Sequence, residues 1–220
     1  MGFFKMKTRH SFTLTELLVV IAIIAILAGL LIPAVMIGQR KGLETQAKAD
    51  MSTILTALKG VEGTYQQIIK AGVGYAPSEN EGCVTLDKDT SNDAYYMFMA
   101  ELVDPANSDI FTSTSSSSTS SLNINKRKIK FLDPKNGYDP EKNLTANKPY
   151  LWLDPWGNPY VIRINTDFSD KIPHPDTQNS QVISGKAIIY SWGPNGTDNK
   201  GKNAADGTGS GADDDIVSWK

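Results

Sequence analysis

The chain opens on a long apolar segment and then changes character. Leu17 to Gly38 is 22 residues without a charge, and all but Gly29, Pro33 and Gly38 are apolar. At 1.5 Å per residue a helix of that length reaches about 33 Å, enough to cross a hydrocarbon core of about 30 Å. Beyond Lys41 the apolar positions narrow to one stripe at helical spacing: Ala47, Met51, Ile54, Leu55, Leu58, Val61, Tyr65, Ile68 and Ile69. Lys48, Asp50, Thr53 and Lys59 stand among the polar positions between them, the pattern of an amphipathic helix. Together the two patterns predict one helix from about Thr13 to Lys70, ended by the run Ala71 to Pro77.

Further on, Ala94–Val103 predicts a short helix closed by Asp104-Pro105. Thr112 to Ser121 is an unbroken Ser/Thr tract, which has nothing to bury and predicts a loop. After residue 150 short alternating runs take over. Tyr160–Ile164, Lys186–Tyr190 and Asp215–Trp219 predict three strands, and the two prolines and glycine of Asp154–Pro159 predict a tight turn before them. The expected fold class is therefore α+β, a long N-terminal helix packed on a small antiparallel sheet.

Composition narrows the function. Lys+Arg number 22 against 24 Asp+Glu, for a net charge of −2, which gives no support to a general nucleic-acid binder. The single cysteine, Cys83, excludes an intrachain disulfide framework and a multi-thiolate zinc site. With His10 and His174 the only histidines, and no nucleophile motif near either, no catalytic constellation emerges and an enzyme is not expected. Lys126 to Lys130 reads as a solvated basic face, and Cys83 as a structural thiol.

The amino terminus carries the most specific signal. Lys5, Lys7 and Arg9, with no acid, precede the apolar run, the arrangement of a membrane segment whose N-terminus stays in the cytoplasm. A cleaved secretory signal peptide shares the basic start. Its apolar region is ordinarily 7–15 residues, however, and here the helical pattern resumes after Gly38, where a mature chain would begin. Glu16 stands one residue before the apolar stretch, and an acid at a membrane is a functional-site hypothesis by default. Pro33 removes a backbone donor inside the helix.

Ser11-Phe12-Thr13-Leu14-Thr15-Glu16-Leu17-Leu18 resembles the processing motif of type IV pilins and pseudopilins. The resemblance implies that a prepilin peptidase removes residues 1–11 by cutting between Ser11 and Phe12, and that the new amino group of Phe12 is methylated. Glu16 and Pro33 then take the register of the family's glutamate and proline, both tied to filament assembly. Ser11 departs from the glycine the family usually has at the end of the leader.

Gly193 to Asp215 is a glycine-rich loop with five aspartates, a composition that suits either a flexible connector or a hard cation such as calcium, which takes six to eight oxygen ligands. Leu153–Tyr160, Tyr190–Gly196 and Asp214–Trp219 are similar to the C-terminal domain of the major pseudopilins of type II secretion systems. That similarity implies one calcium ion held by Ser191, Asn195, Asp214 and Asp215, with backbone carbonyls near Trp192 and Thr197 completing the shell. Asn195 replaces a carboxylate of the family pattern.

The resulting expectation is a leader at 1–11, a transmembrane and filament-core helix at 12–40, an amphipathic continuation at 41–70, a variable insert at 71–150 and a calcium-type sheet domain at 151–220. The resemblance implies a single-pass inner-membrane protein with its C-terminal domain in the periplasm. It would polymerise with itself and work with minor pseudopilins, an inner-membrane assembly platform and a prepilin peptidase, without nucleic acid. Its function would be the short filament of type II secretion. A type IV pilus subunit is the alternative, although the C-terminal cysteine pair that would favour it is missing, and a secreted calcium-binding module is the third reading.

Overall fold

The computed structural model describes residues 13–69, 82–87, 94–106, 124–133, 135, 152–204, 209 and 212–219. The Ser/Thr tract and the run Ala71 to Pro77 lie outside the described residues. The chain divides into two compact units, residues 1–43 and 44–220. One helix, α1, is continuous over Leu14–Tyr65 with Pro33 inside it.

In the first unit the large side chains from Leu14 to Ile37 are exposed, Leu14 at 79% and Val20, the least, at 45%. The second unit opens with the amphipathic part of α1. Ala47, Met51, Ile54, Ala57, Leu58 and Val61 are buried there, close to the expected stripe. The helix stops short of Lys70 because Gln66 adopts φ +64°, while its N–H still donates to Glu62 O at 2.7 Å. That left-handed residue ends the helix without a glycine. Ile68 and Ile69 are then buried as part of the turn that follows, not of the helix.

The sheet is antiparallel, in the order β1 (Cys83–Leu86), β2 (Val161–Asn165), β5 (Ala187–Ser191) and β6 (Ile216–Val217). A separate hairpin joins β3 (Lys171–Pro173) to β4 (Val182–Ser184). Side chains alternate between faces along each strand. Val84, Leu86, Ile162, Ile164, Ile189 and Ile216 join the core of α1 and of α2 (Ala94–Val103), whose Tyr95, Phe98, Met99 and Leu102 are fully buried. On the opposite face Val161, Tyr190, Trp192 and Val217 form one cluster, and Cys83, Ile188 and Ile172 of the hairpin form another, with Trp219 packed against both.

Two expectations change. The sheet has a fourth strand, β1, and the described parts of 71–150 supply both β1 and α2, so this stretch completes the core and is not merely an appended insert. The three expected strands are present, shifted by a residue or shortened, with β6 reduced to Ile216–Val217. A polar clamp ties α1 to the sheet. Asp50 Oδ2 accepts from Lys135 Nζ at 2.6 Å and from the Tyr160 hydroxyl at 3.0 Å. Burial, followed by the Asp50 charge, drives the Tyr160 hydroxyl far above its ordinary pKa, so it remains a donor.

Candidate functional site

Two segments carry candidate functional residues, one in each unit. In the first, Thr13 and Glu16 lock the start of α1. The Thr13 N–H donates to Glu16 Oε2 at 2.8 Å, the Glu16 N–H donates to Thr13 Oγ1 at 3.2 Å, and the Thr13 hydroxyl donates to Glu16 Oε2 at 2.8 Å. This is a capping box, which satisfies helix-terminal N–H groups that have no partner within the helix. The glutamate singled out by its charge beside an apolar run is thus also the cap of its own helix. Immediately after it comes the exposed apolar surface of Leu17 to Ile37, far more than the few hundred Å² that a soluble monomer ordinarily leaves open. α1 is long and apolar enough to cross a membrane. The proposed scissile pair, Ser11 and Phe12, lies outside the described residues.

In the second unit the turn after β5 and the strand β6 bring the C-terminal residues together. Gly193 has φ +65°, and a Cβ there would lie 2.2 Å from the Asp214 carbonyl oxygen, so only glycine permits this approach. The Asn195 N–H donates to Asp214 Oδ2 at 3.1 Å, and Asn195 Oδ1 accepts from the Thr197 N–H at 2.6 Å. Asn195 Nδ2 points at two further oxygens, Asn199 Oδ1 at 3.0 Å and Ala212 O at 2.7 Å. Asn195, Thr197 and Asp214 therefore lie together, and Asn199 and Ala212 join them.

Ser191 and Asp215 have other partners. Ser191 is fully buried, and its hydroxyl donates to Asp154 Oδ2 at 2.5 Å. Asp154 Oδ1 accepts from the N–H groups of Trp156 at 3.0 Å and Asn158 at 2.7 Å, so one buried carboxylate organises the proline-rich turn and fastens β5 to it. Asp215 Oδ2 accepts from Gly201 N–H at 2.7 Å and Oδ1 from Asn199 N–H at 3.4 Å. Burial pushes the Asp215 carboxyl up to about 7, against the lowering effect of those bonds. The Trp192 side chain is buried in the outer-face cluster.

The gathered donors suit a hard cation in kind. The Asp214 carboxylate, the Asn199 amide oxygen and the Ala212 carbonyl are all oxygens, the type calcium takes, whereas the Asn195 amide oxygen is turned to the Thr197 N–H. They include one carboxylate, and among the described residues no three of His, Cys, Asp and Glu cluster to hold a metal. The amino group of Asn195 bridges the oxygens in the manner of a cation.

Comparison with known proteins bears on the first segment. Residues 6–32 match the model of the prokaryotic N-terminal methylation motif. No curated protein and no solved structure gives a significant match to the chain. The motif covers residues 6–11 of the expected leader, the capping box and most of the apolar run, and it is the leader type of type IV pilin-like subunits. Glu16 falls inside the matched span and Pro33 just beyond it.

Reading the chain residue by residue missed three positions. Thr13 was within reach, since Thr-x-x-Glu before an apolar run is a capping signal. In the sequence Asp154 shows only as a turn residue, because its partner Ser191 lies 37 positions away. Asn199 carried no local signal at all.

Proposed function

We propose that the chain is a structural pseudopilin, polymerising through its apolar helix into the short periplasmic filament of a type II secretion system. The observation that carries this reading is the exposed apolar helix that directly follows a capped start within a methylation motif. Residues this apolar need lipid before assembly and the same helices of neighbouring copies after it, and a helix that spans a membrane is suited to both. The filament does no chemistry on a substrate. In the inner membrane the leader lies in the cytoplasm, and residues 44–220 lie in the periplasm. Prepilin peptidase acts on the leader, and minor pseudopilins and an assembly platform initiate and drive growth.

Secretion is favoured over a pilus by the three C-terminal blocks that resemble major pseudopilins, and these blocks are physically joined. Asp154 of the first bonds Ser191 of the second, and Tyr190 of the second pairs with Val217 of the third. Calcium is part of the proposal as an ion weakly held by the Asn199, Ala212 and Asp214 oxygens, with Asn195 turning its amide oxygen towards it, where it would tie the loop to β6.

Intact-mass measurement of membrane-extracted protein tests the reading. The expected species starts at methylated Phe12, having lost Lys5, Lys7 and Arg9; cleavage near Ala28 or later overturns it. Within the filament, Glu16 exchanges its cap for the amino group of Phe12 on a neighbouring copy, since a carboxylate among apolar helices needs a nearby cation. Glu16→Gln separates the two roles, because glutamine still closes a capping box but has no charge. The expected result is normal insertion with failed assembly, and filaments of normal yield would remove the charge pairing.

A further inference from the structure

Two loops of the second unit are built alike and carry opposite charge. In the first, Asn125 is buried and spans the loop it begins. Its Oδ1 accepts from Ile129 N–H at 3.0 Å, and its Nδ2 donates to Ile129 O at 2.7 Å and Glu101 O at 2.8 Å. The backbone between them takes φ +51° at Lys128. In the second, buried Asn165 accepts from Asp167 N–H at 3.0 Å and donates to Ser169 Oγ at 2.9 Å and Lys171 O at 2.8 Å, with φ +62° at Phe168. A residue other than glycine held at such φ is strained and persists only where its surroundings enforce it.

Each loop spends that strain on presenting an apolar side chain to solvent. Outside α1, the exposed large apolar residues among those described are Ile129 at 38%, Phe168 at 67% and Val182 at 56%. Ile129 stands among exposed Lys126, Arg127, Lys128 and Lys130, with Asp133 the acid beside them. Phe168 stands with Asp167, Asp170 and Glu62, against Lys171 and Lys186. The first loop has a positive surplus and the second a smaller negative one. Beside Phe168 a shallow open recess is lined by Glu62, Gln66 and Lys186 among others.

The two loops meet α1 at different residues, the basic loop through Tyr65, whose hydroxyl donates to Asn125 Oδ1 at 2.9 Å and accepts from Arg127 N–H at 3.0 Å. Phe131, which follows the basic loop, covers Gly60, and its ring lies 3.1 Å from where a Cβ would be. Glu62, on the recess, is about 200° further round the helix at 100° per residue. Two different, complementary patches are what a head-to-tail repeat joins.

We propose that these loops are the two halves of a lateral contact between copies of this chain, the basic 125–130 loop of one subunit seating Ile129 against Phe168 and the recess of the next. This rests on the polymer reading and names a contact within it. Loss of the leader's three cations makes the subunits more acidic, so a local opposite-charge pairing offsets repulsion between copies. One such contact is small, and repetition along a filament makes it count.

The test uses the full chain in membranes with Ile129→Cys and Phe168→Cys together, treated with a short bismaleimide. Leu27→Cys in the apolar helix serves as an independent reporter of self-association, and the native chain, whose Cys83 is buried, is the blank. A ladder of multimers from the pair, with neither single variant giving more than a dimer, is the expected result. A ladder lost on Lys126→Glu with Lys130→Glu, and restored when Glu62→Lys and Asp170→Lys are added, identifies the charge pairing. If the Leu27→Cys reporter cross-links while the pair does not, or the pair closes within one chain, this contact is overturned and the polymer stands. If neither cross-links, both fall together.

Discussion

The two halves of α1 use the same helical geometry for opposite ends. From Leu17 to Ile37 apolar side chains cover every side of the helix and are exposed; from Ala47 to Val61 they are confined to one face and buried. The second half obtains its stability from a core within the chain. The first obtains nothing from burial there, so its environment must come from outside, as lipid or as other copies. A stripe thus marks a residue's contribution to the fold, and an all-round apolar surface marks its contribution to location and assembly.

Leucine truncation in each half breaks this comparison most sharply. Leu58 is fully buried, and Leu58→Ala should cost about 2–5 kcal/mol through lost transfer energy and the cavity left behind. Leu27→Ala should leave the same unfolding transition within about 0.5 kcal/mol. All four tryptophans lie after residue 150, so fluorescence-monitored urea unfolding of the detergent-solubilised chain reports the sheet unit alone. Equal shifts from the two variants would mean that the halves are not energetically distinct.

Next in size is the Asp154–Ser191 pair. Ser191→Ala removes the donor at 2.5 Å and leaves a buried carboxylate with one oxygen short of a partner, a loss of about 1–3 kcal/mol. It should act on stability with or without calcium, since Ser191 is turned to Asp154. A calcium response that disappears in Ser191→Ala would restore the serine to the ligand set implied by the resemblance.

Asn195 gives a sharper probe of the loop. Asn195→Asp loses the amino group that donates to Asn199 Oδ1 and Ala212 O and sets a second carboxylate near Asp214. In chelator the melting temperature should fall, by the equivalent of about 1–2 kcal/mol. Calcium should then raise it more than in the native chain, because ligand charge sets affinity, and binding at one hundred times Kd adds about 2.7 kcal/mol. Equal calcium responses in variant and native chain would leave the loop organised by its own amides.

Legibility followed the range of the interactions. Helix α2, the stripe of α1, and strands β2 and β5 are each declared by a run of neighbouring residues, and their periods were readable. Strand β1 has four residues whose pairing to β2 joins Cys83 to Asn165, and no local pattern announces a partner that far away. The β3–β4 hairpin is three residues a side with Pro173 at its edge, too short for alternation to register. At the N-terminus Glu16 and Pro33 were found because their signal is local. The Ser191–Asp154 bond and the place of Asn199 depend on the fold, and no run of neighbouring residues announces them.

The smallest expected effect lies where the hairpin meets the C-terminal loop. Lys202 Nζ lies 3.0 Å from Asp176 Oδ2, joining the β3–β4 connection to the loop before β6. The hydrogen bond from Lys202, then the Gln178 N–H, holds the Asp176 carboxyl below the usual carboxylate range. A carboxyl depressed in the folded state binds its proton more readily when unfolded. Its stabilisation is therefore present above the ordinary carboxyl pKa of about 3.9 and is lost as pH falls through the lower, folded value. The pair is near the surface, so the contribution should stay below about 1 kcal/mol and shrink in high salt. Asp176→Asn should lower stability slightly at pH 7 and flatten the decline between about pH 5 and pH 2, while the stability gap from the native chain closes at the acid end. The apolar first half of α1 carries no group that titrates in this window between Leu17 and Gly38, so the change should appear only in tryptophan-monitored unfolding of the sheet unit. Parallel pH profiles for native and variant chains would show that Lys202 and Asp176 do not pair in solution.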